Sequence, residues 1–194
     1  MKIKVSYTWP KFHIDASWSL FLDRDGVINR RIVGDYVRSF DQFIFLPGVL
    51  EALPVLTSFF NLSFIVTNQA GIDKGLFSQQ NLDEIHQKML EAIEYFGAYI
   101  DNVYACPYYF GDDIFCRKPN PGMAFQAKQD FPDVDFQKSL MVGDSASDIA
   151  FGNRLGMKTI LLGSSHTYEA ALPDSVPDAK LDSLTDVALW IESL

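Results

Sequence analysis

Short, almost unbroken apolar runs constrain this chain more than any other feature in it: Leu20–Leu22, Leu62–Val66, Leu140–Val142 and Thr159–Leu162. A strand that faces water on one side alternates apolar and polar residues. A run that is apolar throughout needs cover on both faces, which is the condition of a parallel sheet flanked by helices. The segments between the runs carry helical spacing. Pro47-Gly48 opens a predicted helix through about Phe59, with Pro54 as a kink or early stop. Ser78 is a predicted N-cap, followed by Leu82, Ile85, Met89, Ile93 and Phe96 up to Gly97. Ile100–Ala105 reads as a further strand, and Asn120-Pro121 starts a helix with proline at its first position. Another helix runs to Leu155 and stops at Gly156, and Ser183 caps a last one with Leu184, Val187, Ala188 and Ile191 inward. Strands alternating with helices predict an α/β fold with a mainly parallel central sheet.

The residues just past these runs point to chemistry. Asp23 and Asp25 come straight after Leu20–Leu22, with Gly26 behind them. Thr67-Asn68-Gln69 succeeds Leu62–Val66, and Asp144 and Asp148 succeed Leu140–Val142. Arg117-Lys118-Pro119 lies at a loop–helix junction. In an open parallel sheet the carboxyl ends of the strands border the ligand crevice, so one crevice collects all of these. Taken singly, each has an ordinary explanation: a solvated turn, surface charge, or the N-cap and first-turn acid of a helix. Together they fill every role in attack on a phosphate monoester. Asp23 is the candidate nucleophile and Asp25 the acid/base. Asp23 and Asp144, with a backbone carbonyl near Asp25, suit Mg²⁺. Thr67 and Lys118 would meet phosphoryl oxygens, and Arg117 offers a planar fork. Asp148 would hold Lys118 or a metal-bound water.

Composition bounds the alternatives. At 194 residues, 48% apolar and 21% charged, the chain fits one compact domain with a full core. No apolar run reaches the roughly 18–20 residues that cross a bilayer, and the start of the chain lacks a secretion-signal core, so a cytoplasmic protein without a membrane partner is expected. A net charge of −9 argues against nucleic acid as a partner. The expected ligand is a small phosphorylated metabolite, and a monomer is expected. Residues 1–17 carry no motif. The alternation of Ile3, Val5 and Tyr7 predicts an edge strand or packed arm there.

Four motifs, FLDRDGVIN (Phe21–Asn29), VTNQAGI (Val66–Ile72), CRKPNPGM (Cys116–Met123) and MVGDSASDIAFG (Met141–Gly152), resemble those of the haloacid dehalogenase superfamily of phosphatases. The match covers about residues 18–163. Its detail is similar to the heptose 1,7-bisphosphate phosphatases first and the histidinol-phosphate phosphatases second. The resemblance implies a Rossmann-like three-layer sandwich with no large cap domain. It also implies an aspartyl-phosphate on Asp23, acid/base work by Asp25, and Mg²⁺ on Asp23, Asp144 and the Asp25 carbonyl. It assigns phosphoryl contacts to Thr67 and Lys118, and substrate contacts to Arg117, Asn68 and Gln69. Arg31 is expected to touch substrate and Arg24 to be solvated. A non-catalytic binding protein on the same fold is the rival of another class.

Three departures stand against that pattern. Many such phosphatases hold a structural zinc in a C-x-H…C-x-C-R-K-P loop. Here Tyr108 and Ile114 replace two ligands, so Cys106 and Cys116 are expected as residual thiols in a metal-free loop, with Asp112 and Asp113 poor substitutes. Ser145 stands where a lysine is common. The Arg30–Tyr36 loop is longer than the heptose pattern. His13, His86 and His166 lie outside every motif, and His86 is expected on a helix surface.

Overall fold

The computed structural model describes residues 9–109, 114–163 and 172–194. In chain order the elements are β1 (Ser19–Leu22), α1 (Val49–Phe59), β2 (Leu62–Asn68), α2 (Gln79–Tyr95), β3 (Asn102–Cys106) and α3 (Gly122–Asp130). Then come β4 (Ser139–Gly143), α4 (Ala146–Leu155), β5 (Lys158–Leu162), β6 (Ala179–Leu181) and α5 (Leu184–Glu192). Among the described residues the six strands are all parallel, in the order β3-β2-β1-β4-β5-β6. The fold is the expected Rossmann-like α/β sandwich.

The strands feed two cores because successive side chains point to opposite faces. Leu20, Leu22, Ile65, Leu140 and Val142 join one core with residues of α1, α2 and α5. Phe21, Phe64, Val66 and Met141 join the other with residues of α3 and α4. That is why the runs carry no polar alternation. Pro54 lies inside α1 without ending it. Ser78 and Asn81 form a reciprocal cap: the Asn81 N–H donates to Ser78 Oγ at 3.1 Å and the Ser78 N–H to Asn81 Oδ1 at 2.9 Å. Gly156, at φ 77°, ends α4 in the left-handed conformation that a Cβ disfavours.

The differences from expectation are local. β6 was not anticipated; its three residues are too short to show a period. Pro121 caps α3 rather than occupying its first turn. The arm expected over residues 1–17 lies partly outside the described residues. Residues 9–17 form no strand. Instead Ile14 is buried, Trp9 and Phe12 pack on the larger core, and the Phe12 ring meets Trp190 of α5 edge-on at 5.3 Å. Among the described residues no helix is long and apolar enough to cross a membrane.

Candidate active site

The sheet order reverses between β1 and β4. β2 and β3 lie to one side of β1, and β4, β5 and β6 to the other. Crevices form at such a switch point. Leu22 pairs with Val142, and the Asp23 N–H continues the ladder to the Val142 carbonyl at 3.0 Å. Asp23 and Asp144 therefore leave adjacent strand ends. Gly26 lets them share the space: it sits at φ 98°, and a Cβ there would lie 2.1 Å from Asp144 Oδ2.

Lys118 is buried against this pair. Its ammonium donates to Asp23 Oδ1 at 2.7 Å and to the Val66 carbonyl at 2.7 Å, and lies 2.6 Å from Asp148 Oδ1. Burial works against that charge, but Asp148 and Asp23 outweigh it and raise the lysine pKa. Asn68 fixes the backbone of Lys118 from both sides. Its Oδ1 accepts from the Lys118 N–H at 3.0 Å, and its Nδ2 donates to the Lys118 carbonyl at 3.1 Å. Asp148 is buried too, and its Oδ2 accepts from the Ser145 N–H at 3.0 Å and from the Ser145 hydroxyl. Burial, then the negative Asp148, pushes the Asp23 carboxyl up to about 8 against the pull of Lys118. Burial and Asp148 push Asp144 up to about 6, opposed by Arg31 and Lys118.

Asp25 is held differently. Its carboxylate accepts from Arg24 Nη2 at 3.0 and 2.8 Å, from Asn29 Nδ2 at 2.9 Å and from Gln69 Nε2 at 2.8 Å. Burial alone would raise its pKa. The Arg24 charge and the bonds from Asn29, Arg24 and Gln69 outweigh burial and hold the group below the ordinary carboxylate value.

These contacts correct three expectations. Gln69, expected at the substrate, is not on the cavity wall: it is fully buried and also donates to Thr67 Oγ1 at 2.8 Å. Arg24 is not solvated but fully buried. His86 is mostly shielded rather than on the surface, with burial and then the Arg24 charge pushing its pKa down to about 3. In its neutral form His86 Nε2 accepts from Arg24 Nη1 at 3.1 Å. His166, Asp112 and Asp113 lie outside the described residues.

The cavity above these groups has a volume of about 310 Å³. Asp23, Asp25, Thr67, Asn68, Lys118, Asp144 and Asp148 line it, with Arg31, Lys74, Arg117 and Tyr36 on its outer wall. Of the catalytic, substrate-binding and metal candidates named from the sequence, all but Gln69 line the wall. Arg31 is more than half exposed and lies 3.3 Å from Asp144 Oδ2. Arg117 donates to the Tyr108 carbonyl at 3.4 Å. Lys74 is a wall residue that the sequence reading missed; only a neighbour's position, not a motif, marks it.

The donor set suits a hard cation. One oxygen each from Asp23, Asp144 and Asp148 can be found within 4.8 Å of one another. Asp148 is taken up by Lys118 and Ser145, which leaves Asp23 and Asp144 as the carboxylates available for a metal. Two carboxylates, with water and phosphate completing an oxygen shell, match the requirement of Mg²⁺.

The expected pair of thiols is corrected. Cys106, the last residue of β3, and Cys116 form a disulfide with a Cα–Cα distance of 5.4 Å. The bond fastens the segment that carries Arg117 and Lys118 to the sheet, so neither sulfur is free to hold zinc as a thiolate. The double variant Cys106→Ser/Cys116→Ser is expected to lose about 2–3 kcal/mol in urea unfolding, from the entropy of the loop it releases. An unchanged midpoint would contradict that brace.

Comparisons bear on the arrangement as a whole. A family model described as HAD-hydrolase-like matches residues 115–187. The chain is 38% identical over 174 residues to the D-glycero-alpha-D-manno-heptose-1,7-bisphosphate 7-phosphatase of Mycobacterium bovis, covering 90% of this chain and 91% of that protein. It is 35% identical over 183 residues to the D-glycero-beta-D-manno-heptose-1,7-bisphosphate 7-phosphatase of Vibrio cholerae, covering 91% and 97%. Among solved structures it resembles the D,D-heptose 1,7-bisphosphate phosphatase of B. bronchiseptica, a complex with magnesium and phosphate. The TM-score is 0.78 and the identity 32%, over 91% of this chain and 98% of that one.

Proposed function

The chain belongs to the haloacid dehalogenase-like phosphatases, and from that premise we propose that it removes one phosphate from a heptose 1,7-bisphosphate, with Mg²⁺ held by Asp23 and Asp144. One observation carries the reading of the chemistry: Asp23, Lys118 and Asp148 form a buried charged chain beside Asp144. A structural ion pair needs no cavity opening onto it, whereas this one has a cavity lined by all four groups. The substrate comes from the relatives, which are named for both anomers of the heptose bisphosphate.

The chemistry follows from the contacts. Lys118 fixes Asp23 Oδ1, leaving the other oxygen to attack phosphorus. The Asp23 oxygen–phosphorus bond forms as the bond to the sugar oxygen breaks, and Asp25 gives that oxygen a proton. Water then attacks the aspartyl-phosphate, Asp25 takes its proton, and phosphate leaves with Asp23 restored. When bound, Mg²⁺ would neutralise the phosphoryl oxygens and keep them in line with Asp23. Asp25 is held ionised in the free enzyme, ready for the second step. Its acid role in the first step requires that it first take up a proton from water as substrate weakens the bonds from Arg24 and Gln69.

The raised carboxyls set a pH dependence. Between the ordinary value of 3.8 and about 6 to 8, metal-free folded protein keeps protons on Asp144 and Asp23 that the unfolded chain has released. Their contribution to stability is therefore full at acid pH and is lost as pH rises through about 6 and then about 8. Mg²⁺ needs both groups ionised, so its affinity rises across the same window. Thermal shift with Mg²⁺ should show a larger stabilisation at pH 8 than at pH 6. Equal shifts would mean that burial does not hold protons on these two groups.

The test of function is phosphate release, with and without Mg²⁺, from both anomers of heptose 1,7-bisphosphate and from histidinol phosphate. Heptose bisphosphate should be preferred. A preference for histidinol phosphate with the heptose substrates untouched would reverse the assignment.

A further inference from the structure

Four cationic side chains line the cavity: Arg31, Lys74, Arg117 and Lys118. Lys118 is held by Asp23 and Asp148, Arg31 by Asp144, and Arg117 by a backbone carbonyl. Among the described residues no carboxylate pairs with Lys74 or Arg117. Lys74 differs from Arg117 in being seated on aromatic rings. Its ammonium stands 3.6 Å from the centre of the Tyr109 ring and 5.3 Å from that of Tyr36. Neutral rings attract a cation without cancelling its charge. The ammonium is held in place and still offers a full positive charge to a ligand.

Three separate segments build this seat. Tyr36 comes from the loop after β1, Lys74 from the loop after β2, and Tyr109 from the exit of β3. The Tyr36 ring packs on Phe77 at 6.0 Å, over Gly71, where a Cβ would come within 2.9 Å of Tyr36 Cγ. Asp73 ties the lysine loop to β3: its N–H donates to the Pro107 carbonyl at 3.3 Å, and its Oδ2 accepts from the Tyr109 N–H at 3.0 Å. A lysine ordered before the ligand arrives loses less side-chain entropy on binding. Lys118 is buried at the floor of the cavity and Lys74 is exposed at its rim. A phosphoryl group reacting at Asp23 takes Lys118, so the group facing Lys74 belongs to the other end of the substrate.

We propose that Lys74, seated between Tyr36 and Tyr109, is a specificity-determining residue that binds the anionic group of the substrate that is not cleaved. The inference rests on the sugar-bisphosphate reading, in which that group is the second phosphate.

The test compares heptose 1,7-bisphosphate with p-nitrophenyl phosphate, which has no second anion. Lys74→Met is expected to lower the ratio of the two kcat/KM values about tenfold, through a higher KM for the bisphosphate. Lys74→Arg should recover the ratio to within about threefold, because the charge returns. An unchanged ratio in Lys74→Met would overturn the role, as would an equal loss on both substrates or an arginine variant no better than methionine. A wild-type enzyme inert on the bisphosphate is a different failure: it removes the substrate reading, and this inference with it.

Discussion

Asp23→Asn should abolish phosphate release, by a factor of at least about 10⁴, while the folded state survives. The amide cannot attack phosphorus, so the covalent step has no substitute. Asn is nearly isosteric with Asp and removes a charge whose burial is unfavourable, as the raised pKa of Asp23 records. Lys118 keeps Asp148, 2.6 Å away, and the Val66 carbonyl as partners. The thermal midpoint should therefore stay the same or rise. Turnover surviving in this variant would mean that another group is the nucleophile. Lost turnover together with an unfolded chain would leave the residue with a structural role instead.

Lys118→Met should fail in both respects. Activity should fall about 10³-fold, since the charge that contacts Asp23, and that we propose meets the phosphoryl group, is gone. Stability should fall by about 3–5 kcal/mol, because Asp148 is left buried without its counter-ion, while Asp23 can hold a proton. Lys118 is only 3% exposed, so water does not screen the loss. Adding Asp148→Asn to Lys118→Met removes the stranded charge and should restore part of the stability but none of the activity. Denaturant midpoints and kcat on the two variants separate the effects. If Lys118→Met kept wild-type stability, Asp23, Lys118 and Asp148 would not be a coupled unit.

The sheet and the floor of the site were legible in the sequence because both depend on local pattern. Apolar runs mark strands buried on two faces, and the residue after each run has to emerge at the crevice. That pattern alone places Asp23, Thr67 and Asp144. What was not legible depends on partners far along the chain. Arg24 looks like surface charge beside Asp25. It is buried only because His86, on α2, and the Phe43 ring, 5.9 Å from its guanidinium carbon, close over it. Gln69 sits in a turn that reads as a substrate contact, yet the bond from its N–H to the Cys106 carbonyl fixes a backbone whose side chain reaches Asp25. Cys106 and Cys116 could be counted, but their pairing depends on Cys116 lying against the end of β3. β6 exists because Ala179–Leu181 finds an open edge on β5, which no property of those three residues announces. Lys74 carries no motif, and its place on the wall is set by Tyr36 and Tyr109 from other loops.

Everything in the mechanism requires that Asp23 take the phosphoryl group beside a cation shared with Asp144. A crystal structure with Mg²⁺ and beryllofluoride, which mimics a phosphoryl group on a carboxylate, probes both halves of that requirement at once. Beryllium should be bonded to the Asp23 oxygen that Lys118 does not hold, with Mg²⁺ coordinated by Asp23 and Asp144. Beryllofluoride on another residue, or a metal bound away from these two carboxylates, would refute it.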